Sequence, residues 1–296
     1  MRSPQLELRF YETYYFANAI RNILAAPSAY LRNLDAFYGD DRHLIHSRPF
    51  PRFSAFHAFL WFVIDDLICD VEDLDIDDRQ KRVERFADVP QYLVPHPSVL
   101  PINEALAYYQ ISHKSFEQWL SEERKSFQEA DEDDISEYYN YLRLEGPLET
   151  LTIRAVHEVF FVLFSNRRVL LWFNSMMANQ FRDTEIDDVS PEYLDNFARS
   201  GVLRRVRIPS WVKRAVYFRD RGCCVACHKD LSGTLNISSN EHYDHIVPLG
   251  GGGLNDVTNI QLLCDNCNLR KSAGEPLTSD LYEAWYEGEG NSTAEY

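Results

Sequence analysis

Leu6, Phe10, Tyr14, Ala17, Ile20 and Leu24 recur at steps of three and four, the spacing that lines one face of a helix. Pro27 ends that stretch, because proline lacks the N–H that a helix interior needs. Phe53, Phe56, Leu60, Val63 and Leu67 repeat the pattern, and further apolar residues surround the turn. A helix that is apolar on more than one face belongs inside a core. Pro90, Pro95, Pro97 and Pro101 mark an irregular connection, after which helical patterning returns over 112–130 and 147–181. Residues 1–200 hold only two glycines, Gly39 and Gly146, and read as mostly helical.

The punctuation then changes. Residues 183–189 are acidic and polar and read as a connection. Ser190-Pro191 opens a short helix that Gly201 would stop, and Ser210 caps another over 211–220, stopped by Gly222. Glycines cluster at 250–253, β-type runs occupy 240–247 and 259–263, and a helix can start near Cys267. The pattern predicts an α+β chain. A mostly helical domain spans 1–200, a small module of helix, two strands and helix spans 203–275, and an acidic tail spans 276–296.

With 45% hydrophobic and 26% charged residues, the composition is that of a soluble globular protein. Two apolar stretches need weighing against a membrane. Residues 53–64 run for about a dozen positions, short of the roughly 20 that span a bilayer. Residues 156–177 are long enough but carry Asn166-Arg167-Arg168 at their middle, where charge is costly. The first residues show no apolar core of a secretory signal, so a cytoplasmic protein without a membrane partner is expected.

The net charge of −16 is unevenly spread. Residues 202–274 hold ten Lys and Arg against six Asp and Glu, whereas 275–296 hold six acids and no base. The basic segment is therefore the one suited to a polyanion, and its acidic surroundings should weaken that binding. Arg204, Arg205 and Arg207 within it either contact phosphate or form a solvated strand.

Four of the six cysteines form two CxxC pairs, Cys224/Cys227 and Cys264/Cys267. Such pairs deliver four thiolates from two tight turns, the ligand set of a structural Zn²⁺, and metal binding is preferred to disulfides in a chain without a secretory signal. Cys223 could replace Cys224 only at CxxxC spacing, so Cys224 is the expected ligand. The 36 residues between the pairs exceed the usual interval of about 15–20. That interval holds Tyr243-Asp244-His245-Ile246. His245 suits a general base, since imidazole titrates near neutrality. Asp244 offers a carboxylate oxygen and Asn268 an amide oxygen, hard donors that fit Mg²⁺ or Mn²⁺ better than zinc. Neighbouring strand residues face opposite ways, so the strand is expected to depart from a regular ladder at Asp244 and His245.

Over about 70 of the 296 residues, these motifs together resemble the HNH nuclease family. The resemblance implies a zinc-stapled ββα-metal fold with His245 as general base. It implies Asp244 and Asn268 as ligands of one catalytic cation, and Asn259 as the residue that stabilises the loop between the strands. Arg219-Asp220 ahead of the first CxxC and Lys271 after the second match the cysteine-bearing branch of that family. Arg219, Arg270 and Lys271 are the candidate nucleic-acid contacts. Asn268 stands where the family name has histidine, a common exchange that bears on metal preference. The implied function is a metal-dependent endonuclease that cuts or nicks DNA, with restriction or anti-phage defence as the setting by analogy. RNA cleavage and a non-catalytic zinc-stapled scaffold are the alternatives. The helical domain would regulate, sense the target or form a homo-oligomer.

Overall fold

A computed structural model describes residues 13–71, 74–85, 98–233, 241–271 and 276–279. The start of the first expected helix, most of the proline-rich connection and most of the acidic tail lie outside them. The fold is α+β, mostly helical, with two-stranded sheets near the C-terminus. Among the described residues, no helix is long and apolar enough to cross a membrane. The chain forms two compact units, one drawn from residues 1–18 and 60–159, the other from 19–59 and 160–296. The second unit thus joins residues on both sides of the break expected near residue 200.

In chain order the helices are α1 (Thr13–Ala25), α2 (Leu31–Tyr38), α3 (Ala55–Cys69), α4 (Ile76–Arg85), α5 (Pro101–Tyr108), α6 (Phe116–Glu122), α7 (Glu132–Glu145), α8 (Pro147–Phe164), α9 (Arg167–Arg182), α10 (Ser210–Arg219) and α11 (Asp265–Lys271). The strands are β1 (Phe197–Arg199), β2 (Val202–Leu203), β3 (Glu241–His245) and β4 (Ile260–Cys264).

The first unit is organised by capping and by one aromatic cluster. Ser115 and Gln118 form a reciprocal capping box at the start of α6, and Asp131 and Asp134 do the same for α7. Phe116, Trp119 and Tyr138 pack around each other, and the buried Tyr138 hydroxyl donates to the Lys114 carbonyl at 2.6 Å. The stretch 112–130 is therefore not one helix. It is α6 followed by a short 3-10 turn, because Arg124 takes a left-handed backbone (φ 62°) just beyond the helix end. The stretch 147–181 divides likewise. Asn166 accepts from the Val169 N–H and starts α9 as a new helix after α8 ends at Phe164.

In the second unit, the helix expected from Ser190-Pro191 is replaced by a 3-10 turn and the β1–β2 hairpin. Gly201 sits in the hairpin turn at φ +69°, where an added Cβ would come within 2.7 Å of the Arg182 carbonyl. The C-terminal module reads β3, β4, α11, with β3 and β4 antiparallel. Its core packs Val212 and Val216 of α10 against Val225, Leu231, Val257, Ile260, Leu262 and Leu263, all buried. Phe50, Phe160 and Phe164, from outside the module, complete the same apolar cluster.

Candidate active site and metal centre

Cys224 and Cys227 lie in a tight turn closed by the bonds Cys224 N–H to Lys229 O (2.9 Å) and His228 N–H to Cys224 O (2.8 Å). Cys264 ends β4, and Cys267 lies in the first turn of α11. The four Sγ atoms all fall within 4.8 Å of one another, and those of Cys227 and Cys264 are 3.7 Å apart. A tetrahedron built on a zinc–sulfur bond of about 2.3 Å has edges of about 3.8 Å, so ligand chemistry and spacing both fit zinc. Cys223 is outside the cluster and pairs with Asp230 in a short bridge, which leaves Cys224 as the inward sulfur. The Arg270 guanidinium donates to Cys267 Sγ at 3.1 Å and so offsets part of the thiolate charge.

β3 carries Asp244 and His245 at its end. The β3–β4 register runs unbroken through Asp244↔Gln261 and His245↔Ile260, so the expected departure from a regular ladder does not occur. Alternation does the sorting instead. His245 is 2% exposed, and its Nε2 lies 3.3 Å from Asn255 Oδ1. Burial above all pushes its imidazole down to about 4. The Asn255 bond and the Asp244 charge oppose that shift, and the charges of Arg205 and Lys271 add to it. At neutral pH His245 is an uncharged base.

Asp244 is partly exposed and accepts from Lys271 Nζ at 2.8 Å through Oδ2. The same ammonium donates to the His245 carbonyl at 2.7 Å. Among the described residues, no hydrogen bond engages Asp244 Oδ1, which leaves a hard donor for a cation. Asn268 is half-buried on α11. Asn259 is fully buried and stitches the loop closed. Its Oδ1 accepts from Val247 N–H at 2.8 Å, and its Nδ2 donates to the carbonyls of Val247 (3.0 Å) and Leu254 (2.9 Å).

Of the three bases expected at nucleic acid, only Arg270 is exposed. Lys271 faces inward, as just described. Arg219 is turned inward because Asp220 holds it, with Nε to Oδ1 at 2.8 Å and Nη2 to Oδ2 at 2.9 Å. Nη2 also donates to Ile260 O, while Asp220 Oδ2 accepts from Leu262 N–H at 3.0 Å. This buried pair pins β4 to α10. A buried guanidinium–carboxylate pair tolerates its desolvation far better than either charge alone, although Arg219 Nη1 is buried with no hydrogen-bond partner among the described residues.

Two loop residues matter that composition and spacing did not single out, Asn255 and Asp256. Asp256 is buried, which raises its carboxyl above the usual range. It accepts from Thr258 N–H (2.9 Å), Thr258 Oγ1 (2.7 Å) and, at the start of α3, Ala55 N–H (2.9 Å). Phe50 N–H donates to Asn255 O at 2.7 Å, and Asn174 Nδ2 reaches Thr258 Oγ1 at 3.3 Å. The available signal was Asn-Asp between a glycine run and Asn259, which by itself reads as a turn.

A thiolate cluster stapling two strands and a helix, with a buried histidine at a strand end, defines a ββα module of the nuclease type. Residues 224–274 match the family model described as HNH endonuclease, which identifies the C-terminal module as an HNH domain. No curated protein and no solved structure matches the chain.

Proposed function

We propose that the C-terminal module hydrolyses phosphodiester bonds in DNA. The observation that carries this reading is the neutral, buried His245 at the end of β3, one residue from the partly exposed Asp244. His245 takes a proton from the attacking water. Asn259 holds the loop that shapes its surroundings. Asp244 and Asn268 would hold one divalent cation, Mg²⁺ or Mn²⁺, which when bound neutralises charge building on the phosphate and the leaving oxygen. Arg205 and Arg207 are exposed and form no ion pair among the described residues, and the charge of Arg205 is felt at His245. With Arg270 they are the bases best placed to meet a phosphate backbone.

The full-length protein incubated with plasmid and with RNA, each with and without Mg²⁺ or Mn²⁺, tests the function. His245→Ala should lower cleavage at least about 100-fold while leaving the fold and DNA affinity nearly unchanged, because it removes the base and no zinc ligand. Cutting of RNA in preference to plasmid would move the substrate to RNA. Cleavage by His245→Ala at the wild-type rate would remove His245 from the role of base.

A further inference from the structure

A neutral imidazole carries one hydrogen, and which nitrogen bears it decides which can act as a base. Around His245 that choice follows from hydrogen bonds reaching beyond the motif. Asn255 is buried, and its amide is engaged at both ends. One end meets the Arg204 carbonyl at 2.9 Å, the other meets His245 Nε2 at 3.3 Å. A carbonyl only accepts, so the end facing Arg204 must be the NH₂ group. The end facing the histidine is then the amide oxygen, which also only accepts. Nε2 must carry the hydrogen, and Nδ1 is left with the free lone pair.

We propose that Asn255 is a positioning residue that fixes the tautomer of His245 and so makes Nδ1 the atom that receives the proton from water. The role of His245 as base rests on the nuclease function proposed above. The tautomer itself does not. Asn255 is held rigidly enough for the task. Its carbonyl accepts from Phe50 N–H at 2.7 Å, and the Arg204 peptide it contacts is fixed by Arg204 N–H to Asn196 O at 2.7 Å. Phe50, Asn196 and Arg204 all precede residue 224, so residues outside the HNH match complete the orientation of its histidine. Lys271 and Asp244, on the other side of the strand end, bond to each other and to the His245 carbonyl and leave the ring nitrogens to Asn255.

The test uses full-length, zinc-loaded protein labelled with ¹⁵N-histidine. Long-range ¹H–¹⁵N correlation at neutral pH separates the two tautomers, and His245→Gln identifies the signals of residue 245. The expected wild-type pattern is a single Nε2–H form. Asn255→Ala should give a mixture of tautomers, with kcat lower by about 100-fold and KM within about twofold, since the substrate contacts remain. Asp256→Ala loosens the same loop while keeping the Asn255 amide between Arg204 O and Nε2, and should retain the Nε2–H pattern, which separates this role from general loosening of the loop. Zinc content and the thermal midpoint establish that each variant is folded. An Nδ1–H pattern in the wild type, or an unchanged pattern in Asn255→Ala, would overturn the proposal. A protein that cuts neither DNA nor RNA fails as a nuclease, and that failure is distinguishable because the tautomer is read without substrate.

Discussion

His46 illustrates how burial sets charge at a single residue. It stacks on Phe37 with ring centroids 5.3 Å apart, and burial first, then the neighbouring His43, pushes its imidazole from 6.5 down to about 4. The unfolded chain therefore binds a proton at this site at higher pH than the folded one. Its contribution to stability is fully present above about pH 6.5 and is lost as the pH falls toward about 4. His46→Phe keeps an aromatic ring against Phe37 and removes the titration. Urea unfolding across that window should show a smaller loss of stability for the variant, and equal losses would mean that His46 titrates alike in the folded and unfolded states. The motif residues were legible at this scale because their chemistry lies in residue type and spacing, as with the paired cysteines and with Asp244-His245. The inward turn of Arg219 and Lys271 was not, because a basic side chain reads as exposed until its partner carboxylates, Asp220 and Asp244, are placed beside it.

Among the elements, α3 follows its apolar pattern closely, since a helix apolar on several faces has few alternatives to burial. The stretches 112–130 and 190–201 departed from expectation where local hydrogen bonding competes with helix: at the Ser115 cap, and in the β1–β2 hairpin with its left-handed Gly201. Two predictions belong here. Asp256→Ala leaves the Ala55 and Thr258 N–H groups without their acceptor. The loss should be about 1–2 kcal/mol, the usual worth of a helix cap, read as a lower midpoint in urea. No change would show that water replaces the carboxylate at both groups. The zinc staple should count for more. One equivalent of zinc should copurify, and Cys264→Ser should unfold the β3–β4–α11 module, because structural zinc supplies folding energy directly. Well-folded protein without zinc would exclude the staple.

At the scale of the whole molecule, two forces act on the module in opposite directions. Residues 202–274 are the basic part of an acidic chain, so a fragment of 203–275 freed from the rest should bind a DNA duplex more tightly at low salt, with a steeper salt dependence. The same excision removes Phe50, Phe160 and Phe164 from the module's core. It also removes the bonds from Phe50 N–H, Ala55 N–H, Asn174 and Arg167 that reach Asn255, Asp256, Thr258 and Asp220. The fragment should therefore bind DNA yet cleave it poorly and unfold at lower urea than the full chain. Fluorescence anisotropy across a salt series and plasmid nicking on the same samples measure both effects. Full cleavage by the fragment would show that the packing contributes nothing to the site. None of this dependence was visible in the sequence, because the residues involved lie far apart along the chain and carry no motif.

The bond from Ala55 N–H to Asp256 also has a meaning for inheritance. A carboxylate in the loop between the nuclease strands serves as the N-terminal cap of a helix some 200 positions earlier, so the module is not an interchangeable cassette. Grafting another HNH domain onto this chain would leave the first N–H of α3 without its acceptor unless the donor brought one at the same place. Recombination that respects the boundary of the matched domain would still cut through a working unit. Exchange that keeps both partners together would carry the helix and the loop as one heritable piece.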